Sequence, residues 1–86
     1  MVAIKTLTLG ELFRFASDDG SLSEKSYVYA GTFVDSDGIE KSSFCWDHFA
    51  YWELWKRNPR SHTHLATADV VSEGRFCNHD TWKAFH

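Results

Sequence analysis

Between Tyr27 and Val34 the chain alternates with period two: Tyr27, Tyr29, Gly31 and Phe33 fall on one side of an extended backbone, and Val28, Ala30, Thr32 and Val34 on the other. Successive side chains of a strand leave opposite faces, so this alternation in β-branched and aromatic residues predicts a β-strand. Asp35-Ser36-Asp37-Gly38 follows as a turn, because short acidic and hydroxyl side chains bond to nearby backbone and glycine accepts a positive φ. Ile39 to Trp46 then returns antiparallel, with Phe44 and Trp46 on one face, and completes a hairpin. The turn does not read as a calcium-binding EF-hand loop. Counted from Asp35, the sixth place, which that loop gives to glycine, holds Glu40.

Beyond Trp46 the period lengthens. Asp47 is suited to cap a helix, His48 to Arg57 contains no glycine, and Asn58-Pro59 stops it, so one helix is expected at about 48–57. At 100° per residue Tyr51, Leu54 and Trp55 form one ridge, and Phe49 and Trp52 a second. That is more apolar circumference than one core-facing stripe needs. At least one of Trp52 and Trp55 is therefore expected to be partly solvent-exposed.

Elsewhere the signals are shorter. Phe13-Arg14-Phe15 alternates as a strand does, within a Leu7 to Phe15 stretch that fits one or two short strands, and Ser17 to Ser26 is a polar loop. Leu65 to Val71 reads as a strand, Ser72-Glu73-Gly74 as a turn, and Arg75-Phe76-Cys77 as a last short strand. Asn78 is placed to cap a C-terminal helical turn carrying Trp82 and Phe85. The sum is an α+β fold: a small bent antiparallel sheet or partly open β-barrel of four to six strands, with one inserted helix and that short C-terminal turn.

Eighty-six residues with no internal repeat and no Gly/Pro linker are expected to make a single domain, 1–86. Fourteen aromatic rings, four of them Trp, supply enough apolar surface for a core without staples. Two cysteines do not make a disulfide framework, and neither a signal-peptide pattern nor an apolar run of about 18 residues is present, so a cytoplasmic location with no membrane partner is expected. The net charge of −3 is too small for a strongly basic nucleic-acid binder. Its distribution is uneven: residues 1–46 carry four basic and seven acidic side chains, whereas 47–86 carry five of each and all five histidines.

Leu7-Thr8-Leu9-Gly10-Glu11-Leu12-Phe13-Arg14-Phe15, a polar loop, and then Tyr27-Val28-Tyr29-Ala30-Gly31 resemble the opening of small phage-encoded SH3-like β-barrel proteins. The resemblance covers about the first third of the chain and makes the helix at 48–57 an insertion. It implies a small binding protein that blocks a host system, as anti-CRISPR proteins do. No functional residue carries over, since that group shares no catalytic motif.

Three constellations carry chemistry. Cys45 with His48 and Cys77 with His79 have zinc-ligand atoms at short spacing and would supply a two-Cys, two-His site if the first helix start and the last strand end are neighbours, although neither half has the usual Cys-x2-Cys knuckle. His62-x-His64 places two rings on one side of an extended segment beside Arg60, where an anion or metal would fit. Lys56, Arg57 and Arg60 near Tyr51, Trp52 and Trp55 have the basic-plus-aromatic mix of single-strand nucleic-acid binders, where rings stack on bases and cations follow phosphates. Each has a plainer alternative: a buried thiol beside surface histidine, an exposed loop, and a helix C-terminus whose cations suit its dipole.

No phosphate-cradling glycine loop and no nucleophile paired with a base can be read in the chain, so no enzyme and no cofactor are expected. The expectation is a non-catalytic inhibitor or adaptor that binds a protein partner, a larger host complex such as a defence (CRISPR-type) system, through Tyr51, Trp52, Trp55, Lys56, Arg57 and Arg60. The alternative is a zinc-stabilised or single-stranded nucleic-acid-binding module, the former on Cys45, His48, Cys77 and His79.

Overall fold

A computed structural model of the chain describes residues 1–77. In chain order the described elements are β1 (Val2–Ala3), a 3-10 turn at Ile4–Thr6, β2 (Glu11–Phe15), β3 (Tyr27–Val34), β4 (Glu40–Trp46), α1 (Phe49–Arg57), β5 (Thr63–Leu65) and β6 (Asp69–Phe76). All strands join one antiparallel sheet in the order β1-β6-β2-β3-β4-β5. The expected six-strand limit, hairpin and inserted helix are therefore present. The C-terminal helical turn with Trp82 and Phe85 lies outside the described residues.

The sheet does not close by strand pairing. Residues 66–68 bridge its ends: Ile4 N–H donates to the Ala68 carbonyl at 2.9 Å and Lys5 N–H to that of Ala66 at 3.2 Å, while Ala66 N–H reaches the Glu40 carbonyl on β4 at 3.1 Å. This bridge is why Leu65 to Val71 is not one strand. Alanines at 66 and 68 turn the chain from β5 into β6 close to the 3-10 turn, and Ala66 is buried there.

Ser72-Glu73-Gly74, expected to be a turn, lies within β6 instead. Between the Phe13–Ser72 and Glu11–Phe76 pairs β2 takes two steps and β6 takes four. Gly74, at φ +72°, lets the extra residues form an irregular bulge rather than reverse the chain.

A second bulge resets the hairpin. Tyr29 pairs with Phe44 and Thr32 with Ser42, so β3 spends three steps where β4 spends two. Gly31, at φ +107°, absorbs the extra residue. From that point the faces swap relative to simple alternation: Thr32 joins the Tyr29 side, bonded to the hydroxyls of Tyr29 and Ser42, and Phe33 turns to the side where Arg60 lies over its ring.

Each face of the sheet carries a core. Leu12, Val28, Cys45 and Cys77 pack with Trp52 and Trp55 of α1, and Ala30 adjoins them. On the other face Phe13, Tyr29, Val70 and Ile4 are buried, with Phe15, Tyr27 and Phe44 partly buried beside them. All six ring pairs among Phe13, Phe15, Tyr27 and Phe44 have centroids 5.1–6.4 Å apart, and five of them are edge to face, the arrangement that ring quadrupoles favour. No described helix is long and apolar enough to cross a membrane.

Candidate functional site

Helix α1 fixes the site by which side of it is buried. Trp52 is 0% exposed and Trp55 8%, so neither indole is on the surface, contrary to the expectation from the helical wheel. Residues 52 and 55 are roughly 60° apart around the axis, and the stripe facing the sheet runs between them rather than along either ridge read from the sequence. The two indoles meet edge to face at 5.8 Å. Leu54 is left 53% exposed and Tyr51 37%, at the edge of the contact.

The helix begins one residue later than its sequence suggests. His48 is the cap, its Nδ1 accepting the Ala50 N–H at 3.2 Å, while the Asp47 carboxylate accepts from Cys77 Sγ at 3.7 Å. With its ring nitrogen used in this way, His48 lies beside Trp46 (5.8 Å) and Tyr51 (5.9 Å).

This start leaves a cleft of about 170 Å3 between the sheet and the first turn of α1. Tyr27 and Trp46 are cross-strand partners on β3 and β4, and Phe44 lies two residues from Trp46 on the same face, its ring 5.2 Å from Tyr27. Tyr51 completes the aromatic wall, its ring 4.4 Å from Trp46. Cys45, Lys25 and His62 also line the cleft. The Lys25 ammonium lies 3.9 Å from the centroid of the Trp46 ring, a cation–π contact. His62 sits 6.3 Å from Phe44, and His64, opposite Ser42 on β5, sits 5.2 Å from Phe15, so this pair does share one side of its segment, against the aromatic face.

Of the six partner-binding residues expected from the sequence, only Tyr51 lines this cleft. Trp52 and Trp55 belong to the core, Lys56 pairs with Glu53 at 3.4 Å, Arg57 is exposed, and Arg60 covers Phe33 at 4.3 Å. With both indoles in the core, neither Trp52 nor Trp55 offers a face on which a base could stack. Lys25, Tyr27, Phe44 and Trp46 are not among the site residues expected from the sequence, where the three rings count only as strand positions. A signal existed: counting outward from the Asp35–Gly38 turn through one bulge pairs Tyr27 with Trp46 and gathers three rings on one face.

Three of the four residues of the zinc constellation are among those the structure describes. Cys45 and Cys77 share one buried cluster, His48 is engaged at the helix start, and His79 lies outside the described residues. No group of three or more potential ligands converges among the described residues. Burial pushes the Cys45 thiol up to about 12, with Cys77 and Asp47 adding to the effect by disfavouring a nearby negative charge. Such a thiol is protonated at neutral pH and a poor nucleophile. The aspartates of the turns serve the backbone: Asp35 Oδ1 accepts from Ser36 N–H at 2.7 Å, Asp37 from Ile39 at 3.0 Å and Asp19 from Ser21 at 2.9 Å.

Fold and cleft together define a small antiparallel-sheet domain with a helix on one face and an aromatic surface cleft at the helix start. No protein-family model matches the chain, and no curated protein or solved structure does either.

Proposed function

We propose that this chain is a small non-catalytic protein-binding module, an inhibitor or adaptor, that engages a larger complex through the aromatic cleft between the β3–β4 hairpin and the start of α1. The carrying observation is the cleft itself, in which Tyr27, Phe44, Trp46 and Tyr51 converge from a sheet and a helix. Rings held by rigid elements offer large contact area at little entropic cost, and Trp and Tyr are over-represented among the residues that dominate interface energies. The protonated state of Cys45, the thiol among the described lining residues, favours binding over thiol chemistry. In this reading the bent sheet is a partly open barrel acting in the cytoplasm. The N-terminal resemblance to phage-encoded barrels makes a host complex the partner class.

Capture from host lysate on immobilised wild-type chain, beside Trp46→Ala and Tyr51→Ala, tests the reading. Both variants are expected to melt as cooperatively as wild type yet lose a specifically captured protein, since truncating a central aromatic anchor weakens binding by about 2 kcal/mol, roughly thirtyfold. Capture that survives both substitutions would remove the cleft from the interface.

A further inference from the structure

The charges of the chain are paired in a telling way. Lys5 reaches Glu40 at 3.2 Å, Arg14 reaches Glu73 at 3.0 Å, Lys41 reaches Asp35 at 2.7 Å and Arg75 reaches Glu73 at 2.9 Å. Lys25 makes no ion pair among the described residues; its ammonium rests on the Trp46 ring inside the cleft. The described lining contains Lys25 and His62 and no carboxylate, although the whole chain carries a net charge of −3. Asp47, next in sequence to Trp46, contacts Cys77 instead. The cleft thus has the opposite sign to the molecule around it.

We infer that the cleft receives an acidic peptide segment, one large apolar side chain entering among Tyr27, Phe44, Trp46 and Tyr51 while a neighbouring carboxylate pairs with Lys25. The inference rests on the protein-binding reading and names the chemistry of the partner. A volume of about 170 Å3 suits one side chain, below the roughly 300 Å3 at which sites for whole small molecules begin. A carboxylate brought to the Lys25 ammonium gains a charge-assisted hydrogen bond beside rings that exclude water. A basic segment would instead place like charge against Lys25. Single-stranded nucleic acid fits less well. Stacking sites for it come with a row of cations along the backbone, and here Lys56 is paired with Glu53 and Arg60 is spread over Phe33.

The test is an NMR titration of the isotope-labelled full chain with four probes: a blocked peptide with one phenylalanine flanked by aspartates, the same peptide flanked by lysines, the aspartate peptide with alanine for phenylalanine, and a single-stranded oligothymidylate. The aspartate–phenylalanine peptide is expected to give saturable shifts at Lys25, Trp46 and Tyr51. Its affinity should fall roughly two- to fivefold in Lys25→Gln, the range of a partly exposed charge pair, while the variant's spectrum away from the cleft stays unchanged. The alanine peptide should bind more weakly still. Equal or better binding of the lysine peptide, no loss in Lys25→Gln, no saturable shift, or the same shifts driven by the oligonucleotide with a steeper salt dependence would each overturn the inference. A silent acidic peptide alongside a captured protein lost in Tyr51→Ala overturns the acidic segment alone. Capture indifferent to both Trp46→Ala and Tyr51→Ala overturns the protein-binding reading beneath it.

Discussion

Trp55 donates its indole N–H to the Ser43 hydroxyl at 3.0 Å, and Ser43, 4% exposed on β4, donates in turn to the Pro59 carbonyl at 2.6 Å. One hydroxyl thereby ties the last turn of α1 and the loop after it to the sheet. Ser43→Ala removes an acceptor and a donor together inside the core, so a loss of about 1 to 3 kcal/mol is expected in urea unfolding. Ser43→Thr, which keeps the hydroxyl, should retain most of that. If the alanine variant lost less than about 0.5 kcal/mol, the tether would have no energetic content.

The neighbouring positions 51 and 52 should separate binding from folding. Trp52 is fully buried against Leu12, Val28 and Cys45, and truncating such a ring typically costs about 3 to 5 kcal/mol. Small domains have about 5 to 15 kcal/mol in all, so Trp52→Ala should melt far below wild type or not fold. Tyr51→Ala, at the exposed edge, should cost about 1 kcal/mol or less. Thermal melts of the two variants decide whether the burial of the helix is assigned to the correct stripe.

Local patterns made much of the fold readable. The alternation from Tyr27 to Ala30, the Asp35–Gly38 turn and the stop at Asn58-Pro59 are all satisfied within a few residues, and there sequence and structure agree. Long-range choices were not readable. The face α1 buries is set by its packing on Leu12, Val28 and Cys45, which come from three different strands. The break at Ala66–Ala68 depends on the 3-10 turn at Ile4–Thr6, more than sixty positions away in sequence. The cleft was missed for the same reason, since Lys25, Trp46, Tyr51 and His62 meet only after the hairpin, the helix and β5 have docked. Tyr51 was found because aromatic residues on a short helix stand out in the sequence, whatever face they take.

Glu73 sits in the β6 bulge and accepts from the Ser26 hydroxyl, from Arg14 Nε at 3.0 Å and from the Arg75 guanidinium at 2.9 Å. The Ser26 bond, then Arg14 and Arg75, hold its carboxyl below the ordinary glutamate value. A group depressed on folding contributes stability above its unfolded value, near pH 4.5, and loses it as pH falls through the folded value. Asp35, held down by Lys41, acts in the same direction. Glu73→Gln should therefore lower stability at pH 7 by about 1 kcal/mol and flatten the fall in stability below pH 4.5. An acid limb as steep as wild type's would show that other carboxylates govern it.

Alkylation should report the packing around Cys45. With its thiol pushed to about 12 and its side chain 3% exposed, reaction with iodoacetamide at pH 8 should wait for unfolding, and mass spectrometry should find Cys45 unmodified while the native chain persists. Added chelator should neither speed this reaction nor lower the melting temperature. If it did both, metal bound through Cys45 and Cys77 would be implicated, in favour of the zinc-stabilised reading.

Gly31 decides how the two faces of the hairpin are divided. Its φ of +107° lies where L-residues are strained, while among the described residues a Cβ built there meets Leu9 Cδ2 alone, at 3.5 Å, an ordinary contact. The cost of Gly31→Ala is thus backbone strain rather than a clash, about 1 to 3 kcal/mol if the bulge is kept. The chain has one other route. Removing the bulge would restore strict alternation and turn Thr32 away from Tyr29 and Ser42, breaking the hydroxyl chain that joins them. Either outcome lowers the melting temperature, and they differ in the spectrum: a retained bulge leaves the amide shifts of Tyr27 and Trp46 in place, whereas a register shift moves them together with those of Thr32 and Phe33. Gly20→Ala, at φ +87° in an exposed turn with open space around it, carries the strain without the packing consequence and serves as the reference. A Gly31→Ala chain as stable as wild type, with an unchanged spectrum, would mean that the bulge is not what sets the register between Tyr27 and Trp46.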